Sequence, residues 1–206
     1  MMSVTYEVGG INVSRETFER LRALASLIEK WTKSINLIAQ TSSEGLWVRH
    51  IEDSAQIFAH APNDWANWTD IGSGGGLPAL VVSILDPSNR PLTLIESDQR
   101  KCLFLNTARR ELDLKITVLN GRIENQDIPA ADVMTARALA PLNDLLGFSE
   151  QLLKQDGVAL FPKGARFQEE LDLAHKNWTF DVKAHQSETH ADARVLEISR
   201  IRRRER

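Results

Sequence analysis

Four glycines crowd the nine residues Asp70-Ile71-Gly72-Ser73-Gly74-Gly75-Gly76-Leu77-Pro78. They stand between a run that reads as a strand, Trp68–Ile71, and one that reads as a helix, Pro78–Leu85. A glycine turn in that setting belongs to open α/β sheets, whose ligands sit beyond the carboxyl ends of the strands. Glycine allows the sharp turn and lets a ligand approach the backbone with no Cβ in the way. The downstream sequence repeats the alternation. Strands are expected at 91–96, 115–119, 132–135 and 158–161. Helices are expected at 98–112, with Leu103, Phe104, Ala108 and Leu112 inward, and at 143–155. Phe167, Leu171, Ala174 and Trp178 mark a further helix face, and two final strands, 180–184 and 195–201, are close enough to pair antiparallel. The pattern predicts a mostly parallel, doubly wound α/β sheet.

Upstream of Trp65 the periodicity is helical. Ser14 can cap a helix with Phe18, Leu21, Leu24, Ile28, Trp31 and Ile35 on one stripe. A second helix from about Glu44 turns Trp47, Ile51 and Phe58 inward and ends at Pro62. On it Arg49 and Asp53 share a face, as do His50 and Ser54. Arg49 is expected to salt-bridge Asp53, and His50 to pair with Ser54 or a backbone carbonyl. Residues 1–64 thus read as an N-terminal helical extension packed on a body of residues 65–206, the whole a single structural unit.

With 206 residues, 42% hydrophobic and 26% charged, the chain can bury one sizeable core. Its longest apolar stretch, Leu77–Leu85, is nine residues, where a membrane span needs about twenty. The single cysteine, Cys102, permits neither an internal disulfide nor a zinc site of its own. With no secretory h-region at the N-terminus, these features point to the cytoplasm. The net charge of −3 hides an asymmetry, because residues 200–206 hold five arginines and one glutamate. That end is either a patch that steers a polyanion or a solvated tail.

The glycine turn excludes some ligands. No Gly-Lys-Ser/Thr follows it, so it is not a phosphate-cradling P-loop. Gly72 and Gly74 fit a dinucleotide fingerprint, but Leu77 stands where the third glycine belongs. Asp70 would repel a pyrophosphate and attract a cationic head, and Glu96, ending the second strand, can accept both hydroxyls of a ribose. A sulfonium cofactor with an amino-acid tail and a ribose, S-adenosyl-L-methionine, matches both acids; NAD is the chief competitor. No Asn/Asp-Pro-Pro-aromatic loop follows the fourth strand, and Cys102 sits among apolar neighbours rather than as a nucleophile. An acceptor that already owns a lone pair, such as guanine N7, suits a site without an obvious base.

Seven separate motifs extend this reading: Asn36-Leu37, Arg49-His50 with Asp53-Ser54, Asp70 to Pro78, Glu96-Ser97, Phe104-Leu105, Ala136-Arg137-Ala138 and Lys163-Gly164. In these the chain resembles the RsmG family (glucose-inhibited division protein B), guanine-N7 methyltransferases of bacterial 16S ribosomal RNA. The resemblance runs from about residue 30 to the end. It implies a class I S-adenosylmethionine-dependent methyltransferase fold, Rossmann-like, with the N-terminal helices added. It implies a cofactor site formed by Asp70, Gly72, Gly74, Leu77 and Glu96, with Ile123 and Glu124 flanking the adenine. Arg137 would stand at the pocket mouth near both cofactor and target base, and Arg49, His50 and Lys163 are candidate RNA contacts. Ala79 and Ala136 replace the family's common glycine and serine. The expected partner is 16S ribosomal RNA or the small ribosomal subunit, with no metal and no membrane, and the expected state is a monomer. The rival readings are an NAD-dependent oxidoreductase and a non-catalytic ribosome-assembly factor that binds RNA through its Arg-rich end.

Overall fold

Gly9 and Gly10, with φ of 55° and 78°, close a two-residue turn between β1 (Thr5–Val8) and β2 (Ile11–Ser14). Positive φ at both turn residues matches the right-handed twist of the flanking strands and specifies a tight hairpin, an element the helical reading of this end did not contain. These strands open the computed structural model, which describes residues 5–39 and 41–205. Ser14 then caps α1 (Arg15–Thr32), its hydroxyl accepting from the Thr17 amide at 3.1 Å. α1 buries Leu21, Leu24, Leu27 and Ile28.

The second helical region is not a regular α-helix. α2 (Ser43–Leu46) runs into a π-helical turn, Trp47–Glu52, and then into α3 (Asp53–Ala59). The Asp53 amide reaches back to the carbonyls of Val48 and His50 instead of that of Arg49. The expected i,i+4 partnerships therefore do not form. Among the described residues the fully buried Ser54 hydroxyl has no partner, and Arg49 makes no ion pair with Asp53.

The body alternates β3 (Trp68–Ile71), α4 (Ala79–Leu85), β4 (Leu92–Glu96), α5 (Gln99–Glu111), β5 (Ile116–Asn120), a 3-10 turn (Ile123–Asn125), β6 (Ala131–Thr135), α6 (Leu142–Leu152) and β7 (Leu153–Lys163). It closes with α7 (Phe167–Ala174), β8 (Trp178–Gln186) and β9 (Arg194–Arg203). The sheet order is β5-β4-β3-β6-β7-β9-β8, with the first five strands parallel and β9 antiparallel to both neighbours. The chain winds outward from β3 through β4 to β5, then returns to lay β6 on the other side of β3. The crevice between β3 and β6 is thus the topological switch point, where ligands of such sheets bind. One face of the sheet is packed by the N-terminal helices, α4 and α5, and the other by α6 and α7.

One core assignment and one helix assignment need correction. Leu103, expected inward, is 61% exposed; α5 instead buries Cys102, Phe104, Leu105 and Ala108. Trp178, placed on the last helical stripe, begins β8. Its spacing was genuine for burial but not for helix, because α7 ends at Ala174 and the ring still packs on α6, with Nε1 donating to Asn143 at 3.1 Å. No helix of the described residues is long and apolar enough to cross a membrane.

Candidate active site

The glycine turn leaves β3 at the switch point with Gly72, Gly74 and Gly76 at φ of 61°, 54° and 75°. A Cβ at Gly74 would meet only the Gly72 carbonyl, at 3.8 Å, so the backbone there is open to a ligand. At Gly72 the space is taken: a Cβ would lie 2.4 Å from Leu139 Cδ1, so Leu139 rests on the turn. Leu77 is buried in the core beneath it.

Two acids meet at this turn. Glu96, at the end of β4, accepts from the Gly74 amide through Oε2 at 2.7 Å and from the Asp98 amide through Oε1 at 2.8 Å. Each oxygen keeps a second lone pair, so the carboxylate anchors the glycine turn and can still receive hydroxyls. Asp70 is 1% exposed. Its Oδ1 accepts from the Thr135 hydroxyl at 2.5 Å, which itself accepts from Trp68 Nε1 at 3.1 Å. Asp70 Oδ2 has no partner among the described residues. Burial, with the nearby Glu96 adding to it, pushes the Asp70 carboxyl up to about 6 against the Thr135 hydrogen bond that holds it down. A buried acceptor left unsatisfied beside an open glycine backbone is what a cationic ligand group would compensate. The sulfonium cofactor inferred from the sequence fits this donor and acceptor set. Ile123 and Glu124 lie in the 3-10 turn that follows β5, Ile123 half-buried and Glu124 exposed. The turn adjoins the same edge, since the Gly121 amide donates to the Glu96 carbonyl at 3.0 Å.

Arg137 follows β6 across the crevice. Its Nη2 donates to the Arg49 carbonyl at 2.7 Å and to His50 Nδ1 at 2.9 Å, and lies 3.5 Å from Asp53 Oδ2. A guanidinium has no acceptor, so His50 must accept through Nδ1 and carry its proton on Nε2. Burial, then the charges of Arg137 and Arg49, lower the His50 pKa to about 4, so the ring is neutral. The π-turn explains the constellation. By displacing the Asp53 amide from the Arg49 carbonyl it leaves that oxygen to Arg137, and such turns recur at functional sites. Asp53 is braced in turn by Gln56 at 2.8 Å and Thr189 at 2.9 Å, the latter from the loop joining β8 to β9.

The remaining candidates separate. The Arg49 side chain is exposed and lines an open groove of about 860 Å³ beside Arg137. His50 faces Arg137 rather than the Ser54 or backbone carbonyl expected for it. Lys163, the candidate phosphate contact, is engaged within the protein: its ammonium donates to Glu170 at 2.7 Å and to the Ala140 carbonyl at 3.2 Å, and its side chain is 10% exposed. Its charge is neutralised within the protein, tying the end of β7 to α7. Thr135 and Leu139 escaped the sequence reading, and Asp53 entered it only as a partner for Arg49, whereas its ion partner is Arg137. Thr135 carried one legible signal, a polar residue ending an apolar strand at the ligand edge. Among the described residues no cluster of His, Cys, Asp or Glu could hold a metal ion.

A glycine turn after the first parallel strand, an acid ending the second and a switch point between β3 and β6 define the class I methyltransferase fold. Solved structures share it at low sequence identity. The ribosomal protein L11 methylase of Lactobacillus delbrueckii superposes with a TM-score of 0.59 at 18% identity, covering 74% of this chain and 78% of that one. An O-methyltransferase from Bacillus cereus, solved with SAH, also gives 0.59, at 11% identity over 86% and 90%. The chain belongs to the rRNA small subunit methyltransferase G family, whose model matches residues 17–198. A ribosomal RNA small subunit methyltransferase G from Ruegeria pomeroyi is 48% identical over 94% of this chain and 96% of its own length. That of a Ruegeria species, strain TM1040, is 46% identical over 94% and 95%.

Proposed function

We propose that the protein methylates guanine N7 in 16S ribosomal RNA of the small ribosomal subunit, using S-adenosyl-L-methionine. The observation that carries the reading is the pairing of two acids, Asp70 and Glu96, around an open glycine turn at the switch point, with Arg137 just past the end of the neighbouring strand β6. Glu96 would receive the ribose hydroxyls, the backbone from Gly72 to Gly74 would line the methionine arm with Leu77 supporting the turn from beneath, and Ile123 and Glu124 would flank the adenine. Asp70 would compensate the cationic end. The cofactor supplies an electrophilic methyl group.

The acceptor needs no deprotonation, because N7 carries a free lone pair. The residues therefore have to orient the base and exclude water, and alignment is where the acceleration arises. Arg137 is suited to that task. With Nη2 engaged by Arg49 and His50, its Nε and Nη1 have no partner among the described residues and can donate to the guanine O6 beside N7. The neutral His50 positions the guanidinium without adding a charge near a base that becomes cationic on methylation. We place the enzyme in the cytoplasm, as a monomer.

The test is transfer of labelled methyl to small subunits, naked ribosomal RNA and bulk protein in parallel, all from cells lacking this protein. Label in RNA, mapped by reductive and alkaline cleavage to an N7-methylguanine, is the expected result. Measurable cofactor affinity with no label in any fraction would favour the assembly-factor reading instead.

A further inference from the structure

The 860 Å³ groove beside Arg137 is walled by the end of β7, the start of α7 and the loop from Ser187 to Ala193. Five cationic side chains line it, and two are compensated internally, Arg137 by Asp53 and Lys163 by Glu170. Arg49, Arg166 and Arg194 then face a single remaining acid, Glu169. Arg49 and Arg166 are exposed and make no ion pair among the described residues, whereas Arg194 is braced by the carbonyls of Ala191 and Ala193. The groove also has an apolar wall: among the described residues three large hydrophobic side chains are exposed, and two of them, Leu139 and Leu173, line it. A local cationic rim on a chain of net charge −3, over an apolar wall, matches the two halves of an unpaired nucleotide, its phosphate and its base.

The arginine-rich C-terminus lies elsewhere. β9 runs antiparallel to β7, pairing Arg194 with Lys163 at the ligand edge and Ser199 with Val158 midway along β7, so that it continues toward the start of β7. Residues 200–205 therefore sit toward the opposite edge of the sheet. There Arg200 pairs with Asp181, Arg204 donates to the Trp178 carbonyl and Arg203 lies over the Trp178 ring.

We infer that the groove, through Arg166, Arg194 and Arg49, binds the single-stranded RNA that adjoins the target nucleotide, and that the arginine tail does not. The inference rests on the RNA-methyltransferase reading and gives its substrate a path: the strand lies in the groove and delivers its next base past Arg137.

The experiment compares Arg166→Ala, Arg166→Glu and Arg202→Ala with the wild-type protein, binding unmodified 16S RNA across a salt series. Cofactor affinity and thermal melts are measured on the same samples. Loss of one phosphate contact lowers affinity about fivefold near 0.1 M salt and flattens the log–log salt slope by about 0.7. Arg166→Ala should show both and Arg166→Glu a larger loss, with cofactor affinity and melting unchanged, while Arg202→Ala binds RNA as wild type does. Wild-type affinity and slope in both Arg166 variants, or an equal loss in Arg202→Ala, would overturn the groove and leave the methyltransferase reading standing. A wild-type protein that labels no RNA would remove that reading itself, and the groove inference with it.

Discussion

Asp70→Asn should stabilise the protein while impairing it. The carboxyl is buried, with one oxygen held by Thr135 and the other unpartnered, and its pKa stands at about 6 against 3.8 for an ordinary aspartate. A folded-state pKa above the unfolded one means that the stability this group contributes is present below pH 3.8 and is lost as pH rises through 6. At 1.36 kcal/mol per tenfold, the ionised form disfavours the fold by about 3 kcal/mol at pH 8. Asparagine removes the charge and keeps an oxygen for the Thr135 hydroxyl, but it leaves an amide donor where Oδ2 was, at about 1–2 kcal/mol. The net gain is then about 1–2 kcal/mol at pH 8, or roughly 3–6 °C in Tm for a chain of this size. Urea unfolding at pH 8 and pH 5 checks the cause as well as the sign, since the margin should narrow by about 1–2 kcal/mol at the lower pH. Calorimetric titration with S-adenosylmethionine should show weaker binding by the more stable variant, the trade expected of a strained functional group. A destabilised variant at pH 8, or a margin indifferent to pH, would refute the account of Asp70 as a charge held against its burial.

Glu96→Gln should weaken S-adenosylmethionine binding about 10- to 100-fold, from the loss of charge-assisted bonds to the ribose, and unchanged affinity in a calorimetric titration would count against that role. Arg137→Lys keeps the charge but not the planar fork, so turnover should fall at least tenfold with cofactor affinity nearly unchanged. His50, with a folded pKa near 4 against 6.5 unfolded, contributes stability that is present above pH 6.5 and lost as pH falls toward 4. His50→Asn, which can still accept from Arg137 but not protonate, should flatten that acid limb in thermal melts, whereas His50→Ala should lower kcat. Gly76→Ala forces a Cβ to within 2.3 Å of Leu80 Cδ1 at φ 75°, while Gly10→Ala has nothing within 4 Å at φ 78°. Denaturant melts should show both losing about 1–2 kcal/mol of backbone strain, with Gly76→Ala losing more through overpacking.

Much of the fold was legible because burial period and turn chemistry are local. The strand–glycine–helix passage at 68–85, the strand ending in Glu96 and the cap at Ser14 all lie where the sequence places them. The misreadings share a physical origin. Trp178 and Leu103 were assigned from spacing alone, and spacing reports which residues can share a stripe, not which stripe the neighbours cover. β7 begins at Leu153, inside the expected helix, because Leu153 joins the ladder opposite Ala131. That pairing partner is 22 residues away and invisible to a local window.

Side-chain partnership in the site shows the same division. The residue types that choose the ligand, Asp70, the glycines and Glu96, could be read in order along the chain, because the chemistry of a cationic, ribose-bearing cofactor dictates them. Their states could not. That Asp70 keeps an unpartnered oxygen depends on Thr135, which reaches it only because β6 lies beside β3. The partner of Arg137 depends on a π-turn about ninety residues earlier, where a regular helix was expected to join Arg49 to Asp53. Lys163, Arg166 and the arginine tail are alike as charges in a sequence; folding neutralises the first, exposes the second at the groove and carries the third to the far edge of the sheet. Identity and period are properties of neighbours along the chain. Charge compensation and exposure arise between residues that only the sheet order brings together.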